Sequence, residues 1–166
     1  YKREQRIECV EKNVCAQGMD AVYVNACGAQ DEIIFDGFSF TRAKDGKGRE
    51  MSGFEASSML AEAEHGGLLE TSSFEISQGI ADLYSSLVLS FKSYIENNSF
   101  KGVVLGLSGG IDSALVLKIA VDAVGADKVE AVMMPSKFTS DMSKTDAAEL
   151  ASRLGVKYSV ISVEPM

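Results

Sequence analysis

An α/β fold with a parallel sheet is expected from three features of the chain. The second half alternates short apolar runs with helical stretches of roughly ten to fifteen residues. A glycine-rich turn follows the first of those runs, and several short strand-like segments follow a charged helical stretch in the first third. Strands alternating with helices need right-handed crossovers, so the second half reads as βαβ units. With 166 residues, 46% hydrophobic and 24% charged, the chain can bury a core, and disorder is not expected.

Residues 1–17 place Ile7, Val10, Val14 and Cys15 near helical spacing among many charges, with Gly18 where a left-handed cap belongs. This predicts an amphipathic surface helix. Residues 21–24, 33–35 and 38–41 are β-branched or aromatic and read as strands, with Asp45-Gly46 as a turn signal. From 52 to 73 small, acidic and flexible residues mix, including His65-Gly66-Gly67, which predicts a flexible linker. Ile76, Ile80, Leu83, Leu87, Phe91 and Tyr94 then recur at steps of three and four, and Asn97-Asn98 ends that helix. Beyond it, strands are expected at 103–105, 129–134 and 158–163, with helices at 111–124 and 143–154.

The formal net charge of -8 sets up a field that repels nucleic acid backbones and acidic membrane surfaces, so neither is an expected partner. Cys9, Cys15 and Cys27 have no CxxC spacing and only His65 as a possible histidine co-ligand. Reduced thiols in a cytoplasmic protein are the expectation. No run approaches the roughly 20 apolar residues of a membrane span. The opening at Tyr1 and the end at Met166, directly after a strand, suggest an internal fragment.

The most informative string is Gly106-Leu107-Ser108-Gly109-Gly110-Ile111-Asp112-Ser113, between an apolar strand and a helix. Adjacent glycines let backbone approach a ligand, free amides at a helix start favour an anion, and Ser108 and Ser113 add hydroxyl donors. Asp112 is itself negative, and a carboxylate beside phosphates points to a shared magnesium ion. A plain strand-to-helix turn capped by Asp112 is the alternative. The string lacks both the GK[ST] ending of a Walker A loop and the G-x-G-x-x-G of a dinucleotide fingerprint.

The string SGGxDS resembles the PP-loop of the ATP pyrophosphatases. Met134-Pro135-Ser136 through Ser140, with Asp146-Ala147 and Leu154-Gly155-Val156, is similar to NAD synthetases within that group. Met133 and Met134 are read as core side chains whose backbone can meet adenine. Upstream, Val24-Asn25-Ala26-Cys27-Gly28-Ala29-Gln30-Asp31-Glu32 through Ser39 resembles the C-terminal part of nitrilase-like amidase domains fused to such synthetases. Cys27, Ala29 and Phe38 stand where valine, glycine and glycine are expected. The resemblance implies the end of a nitrilase-like α-β-β-α sandwich at 1–55 and a linker at 56–73. At 74–166 it implies the first βαβαβ portion of a Rossmann-like PP-loop sheet.

An enzyme of the glutamine-dependent NAD synthetase family is therefore implied, with ATP, deamido-NAD and glutamine as substrates, Mg2+ as cofactor, and a homo-oligomeric state. Gly106, Leu107, Ser108, Gly109, Gly110, Ile111, Asp112 and Ser113 would bind ATP, and Asp112 the metal. Lys2 is implied to help hold glutamine, a solvated helix-face lysine being the alternative. The glutaminase residues of the family, a glutamate, a lysine and a cysteine, precede the matched region, so Cys27 is read as an inert thiol and the fragment alone as inactive. Another PP-loop ligase and a non-catalytic nucleotide-binding fragment are the competing readings.

Overall fold

A computed structural model describes residues 2–64, 67–68 and 79–163. It shows a mixed α/β chain that divides into two compact units, Tyr1–Ser86 and Leu87–Met166. Of the linker expected at 56–73, residues 65–66 and 69–73 lie outside the described residues, as do Ile76 and the closing 164–166.

The first unit opens with α1, Lys2–Asn13, and a 3-10 turn, Cys15–Gln17, ended by Gly18 at φ 77 as its position predicts. Strands β1 (Ala21–Tyr23), β2 (Cys27–Gln30), β3 (Ile33–Asp36), β4 (Phe40–Arg42) and β5 (Gly48–Glu50) follow. They form an antiparallel sheet in the order β1-β4-β5 and a separate β2-β3 hairpin. Two further short strands, β6 (Ala63–Glu64) and β7 (Gly67–Leu68), pair within the expected linker. Phe40 and Thr41 are almost wholly buried in β4, where Phe40 stacks on Tyr23 at 5.2 Å.

Charge ties α1 to these strands. The Arg3 guanidinium grips the Glu50 carboxylate with two nitrogens, Arg6 pairs with Asp36 at 2.7 Å, and Arg42 returns a bond to Glu11. The Arg3–Glu50 and Arg6–Asp36 side chains are largely shielded from water, so breaking either pair leaves a poorly solvated charge, unlike the loss of an exposed surface pair. The strand expected from residue 38 starts only at Phe40. Gly37 at φ 71 and Phe38 at φ 52 bend the chain, which lets the Phe38 ring meet Phe54 edge-on at 5.3 Å and lie 4.1 Å beneath the Arg3 guanidinium.

Helix α2, Ile80–Asn97, spans the boundary between the units. The second unit continues with β8 (Val103–Gly106), α3 (Ile111–Val124), a 3-10 turn (Ala126–Lys128), β9 (Val129–Met133), α4 (Asp141–Leu154) and β10 (Lys157–Val160). The three strands are parallel in the order β10-β9-β8, as the alternation of elements predicts. Val129, Ala131 and Met133 alternate inward along β9 and pack with Leu117 and Ala120 of α3 and Ala147 and Ala151 of α4. Small residues on both helices let them lie close to the sheet.

Helix α4 starts two residues before the expected 143, because the Ser140 hydroxyl accepts the Ser143 N–H at 3.1 Å and caps it. Met133 is core, but Met134 is 54% exposed, which corrects the reading of both as core side chains. The strand ends at Met133, and Met134 is carried past the sheet edge. Among the described residues, no helix is long and apolar enough to cross a membrane.

Candidate functional site

The carboxyl edge of the parallel sheet gathers the glycine-rich string. Strand β8 ends at Gly106, and Leu107 is 1% exposed with its N–H donated to the Val132 carbonyl at 2.9 Å, so the chain is held at the sheet for one residue more. Ser108, Gly109 and Gly110 then turn into α3. The turn is fastened by two serines. The Ser108 N–H donates to Ser113 Oγ at 3.2 Å, the Ser113 hydroxyl donates to the Gly110 carbonyl at 3.0 Å, and the two hydroxyl oxygens lie 3.0 Å apart. Gly110 N–H donates to Ser108 Oγ at 3.2 Å. Ser108 and Ser113 therefore shape the loop as well as offering hydroxyls at its rim.

Gly110 is the N-cap residue of α3, with extended backbone (φ -89, ψ 160), and no side chain caps the helix. The first intrahelical bond runs from Ala114 N–H to the Gly110 carbonyl at 3.1 Å. By helix geometry the N–H groups of Ile111, Asp112 and Ser113 have no partner within the helix, which leaves a set of donors with the positive end of the helix dipole behind them. Asp112 is the second helical residue and is exposed. It does not cap the helix, and among the described residues its carboxylate makes no hydrogen bond or ion pair.

A second helix start closes on the same loop. Gly109 stands at φ 82, and a Cβ there would come within 2.3 Å of the Ser143 carbonyl oxygen and 2.8 Å of its Cα. Only glycine allows that approach of the loop to the first turn of α4. Met134 approaches from the end of β9, its methyl 3.3 Å from where a Gly106 Cβ would stand. Ser143 is thus a neighbour of the loop that the sequence reading did not name as a site residue, with Ser140 capping the helix start that carries it, and Met134, expected to meet adenine by its backbone, reaches Gly106 with its side chain. The Ser140-x-x-Ser143 spacing, a helix-start signal, was the clue available for the first two.

Magnesium prefers oxygen ligands and is commonly held by one or two carboxylates together with substrate phosphates. An exposed carboxylate beside open amides, without a competing cation, suits that kind of shared site. Among the described residues, no group of three or more His, Cys, Asp or Glu forms a separate metal site.

The other candidates lie in the first unit. Lys2 is exposed at the start of α1 and has no ion-pair or hydrogen-bond partner among the described residues, whereas Arg3 and Arg6 are engaged by Glu50 and Asp36. The three thiols are free. Cys27 lies half-buried in β2 beside a cavity of about 200 Å³ that Asn25, Ser39 and Glu55 also line. Burial pushes its thiol pKa up, and the Asp36 and Glu55 carboxylates push it further in the same direction. At neutral pH it is a thiol rather than a thiolate. In the intact protein a glutamine-analogue electrophile is therefore expected to leave the Cys27 peptide unmodified, and a mass-spectrometric adduct on that peptide at pH 7 would contradict this.

Comparison with known proteins agrees with this architecture. A family model described as NAD synthase matches residues 83–166. The chain is 40% identical to the glutamine-dependent NAD(+) synthetase of Acinetobacter baylyi over 99% of its own length and 31% of that protein's. It is 38% identical to the enzyme of the same name from Rhodobacter capsulatus over 98% of this chain and 30% of that one. The structure of the glutamine-dependent NAD+ synthetase from Acinetobacter baumannii, solved with adenosine diphosphate, superposes with a TM-score of 0.90 at 39% identity, covering 98% of this chain and 32% of that one. The chain spans about a third of the length of these relatives. With one family model covering its second half and relatives at this identity along nearly its whole length, the chain belongs to the NAD synthase family.

Proposed function

We propose that this chain is the central part of a glutamine-dependent NAD synthetase, with the end of a nitrilase-like glutaminase at 1–55, a connector at 56–73 and the first βαβαβ portion of a PP-loop synthetase at 74–166. The observation that carries the reading is the 106–113 loop, with unpartnered helix-start amides, a glycine packed against a second helix start, and a free carboxylate at one position. The likeness of both halves to named glutamine-dependent synthetases supports joining the two activities.

On this reading ATP lies with its phosphates on the loop from Gly106 to Ser113. The deamido-NAD carboxylate attacks the α-phosphorus, the bond to the β-phosphate oxygen breaks, and pyrophosphate leaves. Ammonia then attacks the acyl carbon of the adenylate and expels AMP, giving NAD. The ammonia comes from glutamine, which leaves as glutamate, and Lys2 helps hold that glutamine. Amides of Ile111, Asp112 and Ser113 orient the phosphates and offset their charge without a change of geometry during the reaction. Asp112 would hold a magnesium ion jointly with phosphate oxygens, and the bound ion supplies charge neutralisation that lets one anion approach another. The protein acts in the cytoplasm on small molecules, as a homo-oligomer, without nucleic acid or membrane partners.

The test is an assay of the intact protein with ATP, magnesium and deamido-NAD, supplied with either glutamine or free ammonia. Equal amounts of NAD and AMP are expected with both nitrogen donors. Activity with ammonia alone would refute the glutaminase half of the proposal, and AMP formation that ignores deamido-NAD would refute the assigned acceptor.

A further inference from the structure

The segment after β5 is rich in small and acidic residues, which on composition alone reads as a free tether. Two bonds contradict that for its described part. The Arg49 guanidinium donates to the Leu60 carbonyl at 3.1 Å. Eight residues on, Asp20 takes the Leu68 N–H on Oδ2 at 2.7 Å while its other oxygen accepts the Lys44 N–H at 2.8 Å. One carboxylate therefore joins three places far apart in sequence: the residue before β1, the turn between β4 and β5, and β7.

The residue next to the bond is shaped for it. Gly67 stands at φ 130, and a Cβ there would lie 1.9 Å from Asp20 Oδ2, so the absent side chain is the space the carboxylate occupies. The pairing of β6 with β7 extends over only two residue pairs, too few to hold a ribbon in water without an anchor. The two amides, with Lys44 adding to them and Asp45 opposing, keep the Asp20 carboxyl below the ordinary carboxylate range, so it accepts both bonds as an anion at neutral pH.

We propose that Asp20, with Arg49, straps the described part of the connecting segment, from Leu60 to Leu68, onto the strands of the N-terminal unit, so that this stretch is held at two points after β5. Asp20 is then a positioning residue for the connector.

Amide hydrogen exchange on the intact protein at neutral pH tests this, with Asp20→Ala, Gly67→Ala and the double variant. Both single variants are expected to speed exchange of the Leu68 amide by at least about tenfold, the loss of one closed hydrogen bond. Protease cleavage between 57 and 68 should rise in parallel. The Leu107 amide, bonded to Val132 in the parallel sheet, reports folding of the second unit and should not change. Because both changes break the same bond, the double variant should exchange no faster than the faster single one. Gly67→Ala keeps the Asp20 bond to Lys44 as a possibility, so it reads the strap even if Asp20→Ala fails to fold. An unchanged Leu68 amide in Gly67→Ala, or additive effects in the double variant, would overturn the proposal.

Discussion

Gly109→Ala is expected to lower adenylate formation from ATP by at least about a hundredfold in the intact protein, whereas Gly110→Ala should reduce it without weakening the fold. The two glycines are neighbours, yet their surroundings differ. At 109 the backbone is left-handed at φ 82, which costs a non-glycine residue about 1–2 kcal/mol before any contact is counted. The added Cβ would also overlap the Ser143 carbonyl oxygen at 2.3 Å. Since that oxygen belongs to the backbone of α4, the loop itself has to move. A displacement on the order of 1 Å at positioned donors is enough for a hundredfold loss.

At 110 the extended backbone accepts any residue, and a Cβ would meet only Ser108 Oγ at 3.4 Å, an ordinary contact. On the proposed reading, its glycine would keep space open on the side of the loop that faces the phosphates. Thermal unfolding with and without ATP separates the two. Gly109→Ala should lower the melting temperature of the free protein, and Gly110→Ala should leave it near the parent value while shrinking the upward shift that ATP produces. Equal loss of stability in both variants would show that the close approach to Ser143 is not what fixes residue 109.

The parallel half of this chain was legible in the sequence because its elements are long or apolar enough to signal themselves. Helix α3 runs over 111–124 as its periodicity predicts, and the buried alternation of β9 follows its Val-Ala-Met pattern. The strands of the first unit were harder to read. Cys27–Gln30 and Gly48–Glu50 hold no β-branched residue, and they are strands because partners pair with them across a hairpin and a sheet, which no local propensity reports. Phe38 misled for a related reason. Its aromatic side chain suits a strand, but a cation from α1 and a ring from residue 54 fix it in a left-handed bend.

At the candidate site the string alone pointed to the loop, and the structure places it between β8 and α3. The contact between Gly109 and Ser143 was not legible there, since it joins positions on two successive crossovers and becomes visible only when both helix starts stand at one sheet edge. Likewise Asp20 gave no signal as an anchor. A lone aspartate before a strand becomes meaningful only once amides from two distant segments are seen to converge on it.

Asp112→Ala is expected to lower adenylate formation by on the order of a hundredfold or more at saturating ATP and magnesium, the scale of losing one well-placed electrostatic stabiliser, about 2.7 kcal/mol. The geometry separates this residue from the loop that surrounds it. Gly110 caps α3, Asp112 is the next residue but one, and removing its carboxylate deletes no hydrogen bond among the described residues. The fold and the amide donors should therefore persist, and ATP should still bind. A carboxylate in the first turn also complements the helix dipole, which is worth only about 0.3–1 kcal/mol to an exposed helix, so a purely structural role predicts a small drop in stability and little change in rate.

Free ammonia should be supplied in this assay, so that adenylation is read without any contribution from glutamine hydrolysis. Asp112→Asn sharpens the result. It keeps the shape and most of the helix preference of aspartate but lacks the charge that a divalent cation needs, so it should fall with Asp112→Ala if the residue holds magnesium. The magnesium dependence carries the decision: both variants should need a higher concentration of the ion for half-maximal adenylation, while the parent protein saturates earlier. If both variants form adenylate at the parent rate with the parent magnesium dependence, Asp112 serves only the helix, and its proposed role as a metal ligand is wrong.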